Sequence, residues 1–409
     1  MIFEDMKKSS NKEAFLKKTE DFILYKEIEK SEKIHAYITS AQIDEDLDRL
    51  IAKDYYMDYP RQVMLRKSGS NKRRKVYTFP DNDKALLSYL NYMIMEKYDD
   101  RFSDNLYSCR RDNDVRKLFN SIVKNDGDRS HYVVKTDIHA YGESADVGVL
   151  SEILKPWFED EPEVYDFIMW LYSRNRYYRN GVLEEGPTAL VPGNPLCNIM
   201  GNIYLAEADE VFSERSIIYS RYTDDICMIC ESKEAAEENY RLLKKMLEED
   251  RHLTLNEEKS ELVVPGEAYD LLGYKFGDGF VDLSDNTFGK ICSRMKHRQN
   301  KLMRYVRSGK MTRETAFKKM MAYINNQFYS ARESDNRYSF ARKVLGIITT
   351  SERLKLLDEL SEDCLRCVGS GRKTNAKYRI RYEDMREAGF RPLVHEYYRR
   401  FEKGGIFGE

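Results

Sequence analysis

Two aspartates stand side by side at Asp224 and Asp225, between apolar runs that read as strands: Ile217-Ile218 before them and Ile226 to Ile229 after. Like charges a few ångströms apart at the tip of a hairpin raise each other's pKa unless a cation sits with them. Apolar strands on both sides make such a pair hard to hydrate, so the sequence demands a fold that brings a divalent cation to this turn. A third carboxylate, Asp137, ends another short apolar strand, Tyr132 to Ile138. Carboxylates on neighbouring strand ends suit a two-metal site for phosphoryl transfer, and Mg²⁺ (or Mn²⁺) prefers such oxygen ligands. An Asp-Asp pair alone is an ordinary solvated turn, so the surrounding order of segments has to decide.

That order is legible from periodicity and turn residues. Residues 1–60 read as helical, with Phe15, Phe22, Ile23, Tyr25 and Ile28 at helix-like spacing. A basic hairpin, Arg66 to Lys75 with a Gly/Ser/Asn tip, leads into Val76-Tyr77-Thr78-Phe79-Pro80, and Asp83 to Tyr98 is a helix. A helical stretch is expected between Val147 and Tyr178, and a further helix around Asn202 to Val211 is entered through Val191-Pro192-Gly193-Asn194-Pro195. Glu234 to Glu249 is an amphipathic helix; Leu253 to Val264 reads as strand with Asn256-Glu257-Glu258-Lys259 in its middle, and Tyr269 to Phe276 as another. Beyond residue 290 nearly everything reads as helix.

Lys135-Thr136-Asp137-Ile138, then Gly193-Asn194-Pro195-Leu196 running into Asn202-Ile203-Tyr204-Leu205, then Tyr222-Thr223-Asp224-Asp225, resembles motifs A, B and C of reverse transcriptases. Leu255-Asn256-Glu257-Glu258-Lys259 is similar to motif D, Leu271-Leu272-Gly273-Tyr274 to motif E, and Arg73-Arg74-Lys75 before the β run to the fingers segment. The resemblance implies an α+β right-hand polymerase. Residues 1–60 would form an N-terminal helical extension. Residues 61–280 would be fingers and palm, an antiparallel sheet packed on helices, and 281–409 a basic helical thumb. It implies a nucleotidyltransferase, an RNA-directed DNA polymerase taking dNTPs, an RNA template and a DNA product. Asp137, Asp224, Asp225 and the Ile138 carbonyl would hold metal; Arg73, Arg74 and Lys75 the incoming triphosphate; Tyr222 would border the nucleotide. Gly193 would let backbone approach the nascent base pair. Lys259 either protonates the leaving pyrophosphate or is an exposed strand lysine.

Two positions depart from the family's pattern. Motif B usually carries Gln where this chain has Pro192, which can donate no hydrogen bond. Motif A usually places a bulky aromatic five residues after its aspartate; here Tyr141 is at plus four and Gly142 at plus five. A roomier sugar pocket follows, with weaker discrimination between dNTP and rNTP, or else a shifted register in which Tyr141 is the gate. The sequence lacks the His-containing and Val-Thr-Gly signatures of retron enzymes and the endonuclease or RNase H segments of mobile elements. It looks most like the abortive-infection and defence-associated reverse transcriptases of bacteria, which implies antiviral defence with a non-coding RNA.

Composition sets the remaining bounds. The net charge of −2 conceals a division: 281–409 holds 28 basic and 16 acidic residues, leaving 1–280 at −14. Between Lys290 and Lys319 stand eleven basic residues and one acid, with Arg294, Arg298, Lys301 and Arg304 at three- and four-residue steps and Tyr305, Tyr323 and Tyr329 within or after the run. Such a stripe suits a phosphate backbone, and a second basic patch runs from Arg372 to Arg381. Cys227/Cys230 and Cys364/Cys367 have zinc-like spacing, but buried thiols explain them better. No apolar run reaches the ~20 residues of a membrane span, and the first ten residues carry no leader-like stretch, so a cytoplasmic protein is expected. The sequence leaves open two other readings: a template-independent or protein-primed polymerase, and a catalytically silent RNA-binding protein on the same scaffold.

Overall fold

Short, largely buried strands around the aspartates pair into a sheet, and amphipathic helices cover it. A computed structural model describes residues 1–22, 28–66, 73–111, 113–187, 189–329, 340–372 and 379–402. The chain divides into two compact units: residues 1–118 with 131–264, and residues 119–130 with 265–409.

The first unit carries two four-stranded sheets. One contains β1 (Arg61–Arg66), β2 (Arg73–Thr78), β4 (Arg176–Arg179) and β5 (Val182–Glu185) in the order β2-β1-β4-β5. The other contains β3 (Tyr132–Asp137), β6 (Ile218–Tyr222), β7 (Asp225–Cys230) and β8 (Glu261–Val263), ordered β6-β7-β3-β8 and antiparallel throughout. Helices Asp81–Tyr98, Val147–Trp157, Pro162–Ser173, Cys197–Tyr204, Ala206–Arg215 and Lys233–Lys245 surround it. Their apolar faces share one core with the N-terminal helices: Phe15 stacks on Tyr89 with ring centroids 4.9 Å apart.

The second unit has a three-stranded sheet, β9 (Tyr269–Leu271), β10 (Tyr274–Gly277) and β11 (Phe280–Leu283). Helices Asp285–Arg307, Arg313–Phe328 and Glu352–Ser370 pack around a second core that includes Met295, Leu302, Met320 and Leu365. No helix among the described residues is long and apolar enough to cross a membrane.

Four expectations need correction. Residues 147–178 are not one helical stretch: Pro162 starts a second helix, and Arg176–Arg179 is strand β4, hairpinned to β5 through Asn180-Gly181 with both at positive φ. A two-residue turn of that kind matches strand twist. Residues 253–264 are not one strand: Glu257–Lys259 is a 3₁₀ turn, and only Glu261–Val263 pairs with β3. Tyr269 to Phe276 is a hairpin because Leu272 and Gly273 both take positive φ. Residues 1–60 are helical only to Ile51, and Ile23 and Tyr25 lie outside the described residues. The tip of the basic hairpin (67–72) and most of the second basic patch (373–378) also lie outside them.

Candidate active site

Strand pairing assembles the aspartates. In the β3–β7 ladder Asp137 lies opposite Asp225, and in β6–β7 Tyr222 lies opposite Asp225, leaving Thr223 and Asp224 as the turn. The Ile138 N–H donates to the Asp224 carbonyl at 3.0 Å, stitching the end of β3 to that turn. Crowding by protein, and then the charges of Asp224 and Asp137, push the Asp225 carboxyl up to about 6. A carboxylate held in that state is one that a divalent cation relieves.

Lys259 bonds directly to one of these carboxylates, and Lys135 adds a second positive charge near Asp225. The Lys259 Nζ lies 2.7 Å from Asp137 Oδ1, to which Asn256 Nδ2 also donates at 3.3 Å. The hydrogen bond to Asp137, reinforced by the charges of all three aspartates against the cost of burial, raises the Lys259 pKa. The 3₁₀ turn, not a strand, is what aims this side chain. Among the described residues no three His, Cys, Asp or Glu side chains already stand in an ion-holding arrangement. Asp137 is turned to Lys259, and Asp224 Oδ1 accepts from Thr223 Oγ1 at 2.8 Å. The donor set, three carboxylates in mutual electrostatic contact, fits a hard divalent cation once Lys259 yields its place.

A cleft of about 1040 Å³ joins this turn to the basic strand. Arg73, Arg74 and Lys75 of β2, Tyr141 and Gly142 after β3, Pro192 and Gly193, and Thr223 and Asp224 all line it. Tyr222, 38% exposed, and Lys259 lie outside this lining. Gly193, at φ +108°, answers to a neighbour that sequence reasoning did not supply: a Cβ there would lie 2.4 Å from the Tyr77 carbonyl. The Tyr77 N–H donates to the Pro192 carbonyl at 2.7 Å, so the turn-rich segment is bonded to β2. Gly142 is equally constrained, since its Cβ would lie 2.6 Å from the Leu190 carbonyl. Gly142→Phe would therefore shift backbone as well as fill the pocket. The Tyr141 hydroxyl donates to the Gly201 carbonyl, tying its ring to the helix Cys197–Tyr204.

Beneath the aspartate turn lies a polar assembly that the motif pattern did not point to. Arg221 and Asp209 are wholly buried and joined by two hydrogen bonds, Nε to Oδ1 at 2.7 Å and Nη2 to Oδ2 at 2.5 Å. Tyr219 donates its hydroxyl to the same Asp209 at 2.8 Å. The signal available in the sequence was an arginine inside an otherwise uncharged strand, directly before Tyr222.

In the second unit, Arg294 and Arg304 are exposed on the helix Asp285–Arg307. Arg298 and Lys301 are half-buried: the Arg298 guanidinium sits over the Tyr323 ring at 5.5 Å and Lys301 near Tyr305 at 6.0 Å. The four do not form one solvent-facing row. Arg298 leans toward the core side, along with Met295 and Leu302.

A family model described as reverse transcriptase (RNA-dependent DNA polymerase) matches residues 65–276, just over half of the chain. No curated protein sequence matches it. Among solved structures, apo telomerase from Candida tropicalis gives a TM-score of 0.46 at 9% identity, over 83% of this chain and 70% of that one. Telomerase from Candida albicans with a fragment of telomeric RNA gives 0.45 at 10% identity, over 90% and 67%. For a C-terminally truncated apo telomerase from Candida tropicalis the TM-score is 0.43 at 10% identity, and the chain spans 60% of that structure's length.

Proposed function

The chain belongs to the reverse transcriptase (RNA-dependent DNA polymerase) family, and from that premise we propose that it copies RNA into DNA at the Asp137, Asp224 and Asp225 site. The observation that carries the proposal is the shared cleft. Arg73, Arg74, Lys75, Tyr141, Gly142 and Asp224 line the same cleft, and Asp137 and Asp225 reach it through the strand pairing that ends at the Asp224 turn. Guanidinium and ammonium donors suit a triphosphate, and the aspartates, with the Ile138 carbonyl, would hold Mg²⁺ or Mn²⁺. The chemistry such ions supply when bound is neutralisation of charge on the phosphate oxygens and activation of the attacking hydroxyl. Lys259, held protonated by Asp137, has a proton to give the leaving pyrophosphate.

On this reading residues 61–280 act as fingers and palm and 281–409 as thumb. Arg294, Arg298, Lys301 and Arg304 would meet the phosphates of template or product strands. The likeness of the motifs to defence-associated reverse transcriptases supports a role in bacterial antiviral defence, in the cytoplasm, with a non-coding RNA as template. Primer extension with four dNTPs, followed by product sequencing with and without added RNA, tests it. The expected product is DNA complementary to the RNA, lost in Asp224→Asn. Non-complementary product made without RNA would instead establish template-independent synthesis. Activity unchanged in Asp224→Ala/Asp225→Ala would remove the proposed site.

A further inference from the structure

Thr223 has a backbone φ of +57°, a left-handed conformation that β-branched residues rarely adopt. Both of its peptide groups are held by buried partners. Its N–H donates to Ser108 Oγ at 3.0 Å, and its carbonyl accepts from Arg221 Nη1 at 3.2 Å. The two partners are themselves linked: Asn202 Nδ2 donates to the Ser108 carbonyl at 3.0 Å, and Arg221 Nη2 to the Asn202 carbonyl at 3.2 Å. Asp209 pairs with Arg221 through Nε and Nη2. Nη1, which also lies 3.5 Å from Asn202 Oδ1, reaches the turn.

The conformation held in this way has a consequence at the reacting end. The Thr223 hydroxyl lies 2.8 Å from Asp224 Oδ1 and 2.7 Å from the Tyr222 carbonyl. A hydroxyl carries a single proton, so it donates to one of these at a time, and donation to Asp224 restrains the rotation of that carboxylate.

We propose that Thr223 and Arg221 are positioning residues for Asp224. The buried Arg221–Asp209 pair holds Thr223 left-handed, and the Thr223 hydroxyl then restrains the Asp224 carboxylate for cation binding. The proposal rests on the reading of Asp224 as a metal-binding residue. It assigns a task to the buried Arg221 and to the Thr223 hydroxyl, and it gives a reason for threonine at the second position of the turn.

The test is Mn²⁺ titration of the nucleotide-free protein, followed by electron paramagnetic resonance, with melting curves and primer-extension kinetics alongside. Thr223→Val keeps the shape and removes the hydroxyl; Thr223→Ser keeps the hydroxyl. The expected result for Thr223→Val is an Mn²⁺ affinity and kcat each lower by about tenfold, the range seen when a ligand's outer partner is removed. KM for dNTP and the melting temperature should stay near wild type, and Thr223→Ser should restore both losses to within about twofold, the hydroxyl being the partner retained. Arg221→Lys should weaken Mn²⁺ binding in the wild-type background and add little in the Thr223→Val background. If Arg221→Lys does not fold, Ser108→Ala takes its place in that cycle. Wild-type Mn²⁺ affinity in Thr223→Val, equal impairment of the Val and Ser variants, or full additivity in the cycle would each overturn the proposal. Asp224→Asn separates the two readings. If it binds Mn²⁺ and polymerises like wild type, the metal role itself fails. If it is dead while Thr223→Val is normal, only the positioning role fails.

Discussion

Arg221 with Asp209 and Lys259 with Asp137 are both cation–carboxylate pairs bonded to the same aspartate turn or its neighbour, yet water reaches only one of them. The first pair has no exposed surface, is doubly hydrogen-bonded, and passes its spare donors to the Asn202 and Thr223 carbonyls. The second is made by one 2.7 Å contact, and the lysine side chain is 60% exposed. A sealed pair cannot exchange partners without exposing an uncompensated charge, so it suits a part that must not move. An open pair costs little to break and suits a position where the partner can change. One chain thus places a sealed arginine behind its aspartate turn and a solvent-exposed lysine against Asp137.

The largest effect should come from breaking the sealed pair. Asp209→Ala leaves Arg221 buried without a counter-charge, and a loss of about 3–5 kcal/mol of stability is expected, measured by urea unfolding. The double replacement Asp209→Leu/Arg221→Met should recover most of that stability while leaving Mn²⁺ binding weak. Recovery of both would mean that the pair contributes only bulk packing. Asp137→Asn should come next, with primer extension falling by about 10³-fold while the melting temperature holds, because several kcal/mol of charge stabilisation are removed from the reaction. A variant that unfolds instead would make Asp137 part of the scaffold.

The members of the open pair were singled out in the sequence, though not as partners; those of the sealed pair were not singled out at all. Asp137, Asp224, Asp225 and Lys259 belong to short local patterns whose order along the chain is informative. Strand register then brings Asp137 opposite Asp225 as the motifs imply. Arg221 is adjacent to the same motif, but its meaning depends on Asp209 and Asn202, which lie on two different helices, and on Ser108 in a loop. Side-chain partners separated by a dozen to more than a hundred residues leave no periodic trace. The backbone neighbours of Gly142 and Gly193 were illegible for the same reason. Each was read against an absent nucleotide, whereas the nearest constraint is a backbone carbonyl of Leu190 or Tyr77. The strand boundaries around Lys259 were also missed, because a 3₁₀ turn of three residues has no period to detect.

Lys259→Met probes the open pair directly. Stability should change by less than about 1 kcal/mol, as for exposed ion pairs generally. Mn²⁺ affinity of the nucleotide-free protein should rise, since the competing ammonium has gone. Turnover should nevertheless fall by about 10²-fold, the lower range for a lost general acid. Tighter Mn²⁺ binding with unchanged turnover would make Lys259 a competitor for the site and nothing more.

The smallest effect is a pH dependence, and its sign follows from crowding at Asp225. Its pKa is raised to about 6 in the metal-free protein, so the folded state holds this proton more tightly than the unfolded chain does. The stability associated with that proton is fully present below the unfolded-state value near 4 and is lost as pH rises through about 6. Asp225→Asn mimics the protonated form at every pH. Without metal it should melt like wild type at pH 4 and slightly higher at pH 8, by less than about 1 kcal/mol because solvent screens part of the repulsion. Added Mn²⁺ should erase that advantage, because the wild-type carboxylate gains a cation that the amide binds poorly. An Asn variant less stable than wild type at pH 8 without metal would show that Lys259 already compensates all three aspartates. The pair would then be stronger than its exposure suggests, and the contrast with the buried arginine would narrow accordingly.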